Sequence, residues 1–330
     1  MTGSIFPLGC SAFCLRNQSD LWIARNLDVP FTTGYVLSNL RGVAKQSVVE
    51  NDNSPAYWTS RWGSLTVNLL GADFPMGGIN ECGLIIEHLA MPGTVYPDRR
   101  ECGSLLEFEW IQFMLDTCSC VDDVRAQAEQ VTILPGRLEM HFLLADGTGN
   151  CALLEFRDGQ PLFYMGSSFQ PSVVTNSWYK ESILYLSSFL GFGGDCIPSP
   201  SSTESLDRFA RLAYAIRNGG TIEGLNIPEA AMCLLDSVVD STLLSAVFHP
   251  DTGCIIFKTS QNADLRMLRV ADFDLSPVAS RMMLDIHAAT DELNQFDSQK
   301  IVSSMQEVFS VGGDLLRIDA FKRLMMARQV

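Results

Sequence analysis

Short runs in which apolar and polar positions alternate recur along the chain, and they come in pairs. Residues 11–16 and 21–27 make the first pair, joined by Asn17-Gln18-Ser19-Asp20. A period of two bounded by turn residues predicts a β-hairpin. An antiparallel partner runs back alongside, so a residue just ahead of the first strand meets residues late on the second. Cys10 is thereby brought towards Arg25 and Asp28. Further strands are predicted at 63–70 and 83–89, flanking the segment DFPMGGINE at 73–81, while 41–60 reads as polar loop. Runs at 141–145, 151–156 and 162–165 are punctuated by Asp146-Gly147 and Asp158-Gly159, dipeptides that favour tight hairpins. A strand at 172–175 ends on Asn176-Ser177, and three more fall at 243–248, 254–258 and 265–270.

Between these runs the period lengthens to that of a helix. Ser104 followed by Glu107 fits a capping box, and Leu106, Trp110 and Met114, with Ile111, Leu115 and Cys118 beside them, mark one apolar face. Shorter helical patterns follow at 121–130, 179–190, 203–218 and 228–239. From Pro277 the strand signals cease, leaving two helical stretches split by Gly312-Gly313. Many antiparallel strands interleaved with blocks of helix predict an α+β domain in which helices cover stacked sheets. That domain occupies 10–276, preceded by a short leader at 1–9 and followed by a helical extension at 277–330, with no internal repeat.

Composition narrows the function. A formal charge of −15 argues against nucleic acid as a partner, because phosphates need a broad basic surface. Residues 1–9 carry no Lys or Arg and an apolar run of only four residues, too short for the core of a signal peptide. No stretch reaches the roughly 20 apolar residues that span a bilayer. The expectation is a cytoplasmic protein with no membrane span and no disulfide. Ten cysteines and four histidines show no paired zinc-type spacing, so no metal or other cofactor is expected.

Cys10 follows Gly9. Were the bond between them cut, one residue would hold a thiol and an α-amino base with an unperturbed pKa of roughly 7.7–8.0. On composition and spacing alone Cys10 also reads as one more buried free cysteine.

The pattern CSAFCLR with LWIARNLD behind it resembles the mature N-terminus of the choloylglycine hydrolase family, which includes penicillin V acylases and bile salt hydrolases. WTSRWGSLTVN (58–68), FPMGGINECGL (74–84), HLAMP (88–92), FEWIQFMLD (108–116), HFLLADGTGN (141–150), VVTNS (173–177) and DRFAR (207–211) resemble it too, in the family's order. The resemblance implies a four-layer αββα N-terminal-nucleophile hydrolase fold of two antiparallel sheets. It implies an autoprocessed amidase that cleaves a linear, non-peptide amide of a small-molecule acyl-amide substrate through an acyl-thioester.

By the same resemblance Cys10 is the nucleophile, Arg25 favours its thiolate and Asp28 holds the α-amino group. Asn176 donates to the oxyanion and Arg208 supports the site, with Arg211 one turn on as the fallback register. Ala90 stands where the family has Asn or Tyr, so it offers the oxyanion hole only a backbone N–H. Trp178, beside Asn176, is a candidate for lining the acyl pocket. Asn80 and Glu81 read as structural braces of a turn. The resemblance is compatible with a homo-oligomer. An acyltransferase using the same thioester, and a non-catalytic binding or redox protein in which Cys10 is never liberated, are the alternatives.

Overall fold

A computed structural model describes residues 9–17, 20–49, 54–98, 102–134, 138–219 and 225–311. In chain order the first strands are Ser11–Asn17 (β1), Asp20–Asp28 (β2), Tyr35–Asn39 (β3), Ala44–Gln46 (β4), Tyr57–Thr59 (β5), Ser64–Asn68 (β6), Pro75–Asn80 (β7) and Ile85–Ala90 (β8). Gly103–Leu105 (β9) leads into helices Glu107–Thr117 (α1) and Val121–Gln127 (α2), followed by Val131–Ile133 (β10). Met140–Ala145 (β11), Cys151–Arg157 (β12), Gln160–Met165 (β13) and Val173–Val174 (β14) come next. Three helices, Tyr179–Leu186 (α3), Ser205–Asn218 (α4) and Ile227–Asp236 (α5), precede Thr242–His249 (β15), Cys254–Thr259 (β16) and Arg266–Arg269 (β17). Met282–Asp285 (β18), Asn294–Gln295 (β19) and Ser298–Val311 (α6) close the described chain.

Two large antiparallel sheets hold the core. One is six-stranded, in the order β14-β1-β2-β15-β16-β17; the other is nine-stranded, β13-β12-β11-β8-β7-β6-β3-β18-β19. Helices α4 and α5 pack on the outer face of the first, against β1 and β2, and α1 packs on the second, against β7 and β8. The inner faces meet, which gives the four layers expected. Alternation along β2 sorts its side chains between layers. Arg25 reaches across to Met76 and Glu87 of the other sheet, while Asn26 points back and donates to the Leu235 carbonyl of α5.

Several boundaries differ from the sequence expectation. Residues 75–80, read as a loop, form the central strand β7, paired with β6 and β8. Glycine hid this strand and also permits it: a Cβ on Gly78 would stand 2.3 Å from the Leu65 carbonyl oxygen. Within 41–60, β4 and β5 pair as a short ribbon. Ser104 lies in β9, and α1 begins two residues later than a serine cap predicts. There the Glu109 carboxylate accepts from the Leu106 N–H, so the capping glutamate is Glu109.

The chain after 276 is not wholly an appendage. β18 pairs with β3 and extends the nine-stranded sheet, so the sheet closes with residues that looked helical by period. The expected break at Gly312-Gly313 and the helix beyond it lie outside the described residues, as do residues 1–8 of the leader. The disulfide-free expectation is also corrected, because Cys14 of β1 is bonded to Cys151 of β12. These two strands belong to different sheets whose inner faces meet, a proximity that 137 residues of sequence separation conceal.

Candidate active site

Cys10 sits just ahead of β1, buried in the interface between the sheets at 2% exposure. Pairing of β1 with β2 sets Ala12 opposite Arg25 and Ser11 opposite Asn26, so Arg25 stands on the same face as Cys10. Its Nη2 lies 3.7 Å from the Cys10 sulfur. Its Nη1 donates to the Glu87 carboxylate at 2.5 Å and to the Met76 carbonyl at 3.2 Å. Burial raises the Cys10 thiol above its usual pKa, and the nearby Arg25 charge only partly opposes that. With the leader peptide bond intact, the net direction is therefore upward, opposite to the lowering expected from an adjacent arginine.

Asp28 ends β2 and is fully buried. Its Oδ1 accepts from the Thr242 hydroxyl of β15, and its Oδ2 is buried with no partner. Burial pushes this carboxyl up to about 6, against the pull of the Thr242 hydrogen bond and the Arg208 charge. The orphan oxygen faces the Gly9–Cys10 junction. A Cβ built on Gly9 would stand 3.1 Å from Asp28 Oδ2 and 2.7 Å from Asp240 Oδ2. Glycine is what fits between these two carboxylates.

The remaining members come from far down the chain. Arg208 lies on the buried face of α4 at 2% exposure. Its Nη1 donates to the carbonyls of Gly9 and Cys10 and to the Ser11 hydroxyl. Its Nη2 donates to Asn176 Oδ1 at 2.8 Å, and its Nε to the Thr203 carbonyl. Asn176 follows β14, the edge strand that pairs with β1, and its Nδ2 donates to the Ala90 carbonyl at 2.8 Å. Arg208, Asn176 and Ala90 thus form one chain of contacts ending at Cys10.

Arg211, the fallback, is used elsewhere, donating to the carbonyls of Ser199, Ser202 and Ser237. Trp178 is half-buried at the start of α3, with the Arg157 guanidinium 5.1 Å from its ring centre and Gly93 alongside. Asn80 braces a turn as expected, donating to the carbonyls of Leu115 and Cys118 and accepting from the N–H groups of Cys82 and Leu84. Glu81 pairs with Arg41.

Sequence reasoning did not single out Glu87, Thr242 or Asp240. For Glu87 a signal existed: a lone carboxylate in the run GLIIEHL, which has to find a partner if the strand is buried. Among the described residues one group has the makings of a cation site. Asp20, His249 and Asp251 place a donor atom each within 4.8 Å of one another, at the opposite end of β2 and β15 from Cys10.

Two antiparallel sheets stacked between layers of helix are the architecture of an N-terminal-nucleophile hydrolase. The chain belongs to the linear amide C–N hydrolases of the choloylglycine hydrolase family, whose profile it matches over residues 10–221. It is 26% identical over 177 residues to a penicillin V acylase of Pectobacterium atrosepticum, a stretch covering 49% of this chain and 46% of that protein. The aligned stretch therefore spans less than half the length of that curated relative. Among solved structures it is similar to the penicillin V acylase of Agrobacterium tumefaciens, with a TM-score of 0.74 at 20% identity over 87% of this chain and 98% of that one. It is also similar to a variant of the conjugated bile acid hydrolase of Clostridium perfringens, with a TM-score of 0.68 at 15% identity over 87% and 96% of the two chains. Both likenesses are of fold. Among the described residues no helix is long and apolar enough to cross a membrane.

Proposed function

We propose that the chain is an autoprocessed amidase in which Cys10 becomes the N-terminal residue and cleaves a non-peptide linear amide of an N-acyl amine. The observation that carries this reading is the setting of the Gly9–Cys10 bond. Its carbonyl oxygen accepts from the buried Arg208 guanidinium, and a buried, unpartnered carboxylate oxygen of Asp28 faces the junction. The family match also starts at residue 10.

Maturation begins with attack of the Cys10 sulfur on the Gly9 carbonyl carbon, while Arg208 donates to the oxygen on which negative charge develops. Collapse of that adduct breaks the Gly9–Cys10 C–N bond, the thiol proton passing to the nitrogen, so the α-amino group is freed and the leader is held as a thioester on Cys10. Water then hydrolyses the thioester and releases residues 1–9 as a free carboxylic acid. The α-amino group supplies the orphan oxygen of Asp28 with a donor, satisfying a buried acceptor that otherwise has none. In turnover the α-amino group takes the thiol proton and the thiolate attacks the substrate carbonyl. The Asn176 amide and the Ala90 backbone stabilise the oxyanion, the proton passes to the departing amine, and water hydrolyses the acyl-thioester. Alanine at position 90 offers only a methyl group where the family resemblance places Asn or Tyr, and Trp178 lies beside Gly93 in the loop that follows β8. Penicillin V and conjugated bile acids are the amides that the relatives' names suggest for a first panel.

Location is a separate matter. Disulfides persist in oxidising compartments, so the Cys14–Cys151 bond weighs against the cytoplasmic expectation.

Intact-mass measurement of purified protein tests the proposal. Wild type should lack residues 1–9, and Cys10→Ala should keep them and release no amine from any acyl-amide. A protein that retains its leader and still turns over would overturn the mechanism. Acyl-hydroxamate or acyl-amine products formed only when a second amine is supplied would identify an acyltransferase instead.

A further inference from the structure

Behind the proposed nucleophile lies a group that the reaction as written does not use. Glu87 is on β8 in the nine-stranded sheet, 1% exposed, and its Oε2 binds Arg25 Nη1 at 2.5 Å. The other hand of the same guanidinium, Nη2, faces the Cys10 sulfur at 3.7 Å. Arg25 is therefore a bridge with a carboxylate on one side and the thiol on the other. The space for that carboxylate is supplied by Gly77, directly opposite on β7. A Cβ there would stand 2.2 Å from Glu87 Oε2 and 2.6 Å from Oε1. Glu87 Oε1 and Arg25 Nε are both buried without a hydrogen-bond partner, so the pair is held by one strong contact rather than by a saturated network.

We propose that Glu87 is a positioning and charge-balancing residue for Cys10: it aims the Arg25 guanidinium at the sulfur and offsets part of its positive charge, thereby setting how readily the thiolate forms. The inference rests on the reading of Cys10 as the nucleophile. Two opposed effects follow from one contact. Orientation by Glu87 keeps a cation beside the sulfur and favours thiolate, whereas the negative charge of Glu87 disfavours a second anion nearby.

The surroundings leave few other groups to carry this. Arg25 and Cys10 face Glu87 from the opposite sheet, with Asp28 beyond them. Within its own sheet, the paired residue on β7 is Gly77, with no side chain. On β11 His141 stands on the same face two residues from Leu143, the partner of Glu87, and pairs with Glu155 of β12. His88, the next residue, turns to the other face, against Phe108 of α1. Burial pushes the Glu87 carboxyl up to about 7 despite the adjoining Arg25 charge, so its charge changes near neutral pH. Burial holds the neighbouring His88 down at about 3, so that imidazole stays neutral there.

The test is the pH dependence of Cys10 alkylation by iodoacetamide, read on the peptide that carries Cys10 in full-length wild type, Glu87→Gln and Glu87→Ala. Glutamine keeps an oxygen for Arg25 and removes the charge, so the midpoint should move to lower pH, by about one unit. Alanine releases the guanidinium, so the midpoint should move to higher pH, and kcat should fall by about 10²-fold through misplacement of the cation. KM should change little in both, and leader removal, read by intact mass, reports separately on maturation. If Glu87→Gln leaves the midpoint and the pH–rate profile where wild type has them, Glu87 only fills space and the inference is wrong. If wild-type Cys10 itself labels no faster than the other free thiols, the nucleophile reading fails first, whatever Glu87 does.

Discussion

Replacing Gly77 with alanine measures how firmly the Glu87 carboxylate is seated. Gly77 has an ordinary backbone conformation, and its requirement is space: the added methyl carbon would stand 2.2 Å from Oε2, 2.5 Å from Cδ and 2.6 Å from Oε1 of Glu87. All three distances lie well inside van der Waals contact, so the carboxylate has to leave. It cannot move freely, because it is buried and bonded to Arg25. Breaking a buried ion pair by losing one partner costs about 3–5 kcal/mol, and Gly77→Ala should cost that much. Glu87→Ala should cost a similar amount, since it strands the same arginine. The double variant is decisive. With no carboxylate to displace, the Gly77 methyl group adds nothing further, so the pair should also lose only about 3–5 kcal/mol rather than the sum of about 6–10. Urea unfolding of the four proteins, followed by tryptophan fluorescence, reads these values. Additive losses, or a Gly77→Ala protein within about 0.5 kcal/mol of wild type, would refute the idea that Gly77 exists to admit Glu87.

Four other outcomes are expected. Asn176→Ala should lower kcat by about 10²–10³-fold with little change in KM, as measured by amine release from a competent acyl-amide. With Asp28 at about 6, kcat/KM should fall as the pH drops through 6, because protonation removes the acceptor for the α-amino group. Thr242→Val deletes a hydrogen bond that favours the ionised carboxyl, so it should shift that acid limb to higher pH in the same pH–rate measurement. Reduction with dithiothreitol, or the double change Cys14→Ala/Cys151→Ala, should lower the urea midpoint. A cross-link across 137 residues is worth about 5 kcal/mol of chain entropy at most, and an unchanged midpoint would mean that the bond contributes nothing to stability.

Local sequence carried much of this architecture. The β1–β2 hairpin was legible because its alternation and its turn are both short-range, and that hairpin alone places Arg25 and Asp28 near Cys10. Helices α4 and α5 were legible to within two or three residues from their period. Strand β7 was not, because Gly77 and Gly78 remove the alternation that marks a strand and are needed for contacts with other strands. Strand β18 was hidden for a related reason: four residues give too little period to outweigh a helical neighbourhood, and only its pairing with β3 holds them extended.

For the site, sequence by itself determined which residue types were available and, through family resemblance, which of them to consider. Cys10, Arg25, Asp28, Asn176 and Arg208 could all be named before any contact was known. What the tertiary structure decided was their mutual charge and shape. Packing one sheet on the other buries Cys10 deeply enough that its thiol rises despite Arg25, leaves one oxygen of Asp28 without a donor, and commits Arg208 rather than Arg211 to the Gly9 and Cys10 carbonyls. It also brings in Glu87, from a strand 62 residues beyond Arg25. Desolvation and Coulomb interaction depend on the distance through space between groups and on how much water remains around them. Neither quantity is written in the order of residues along the chain.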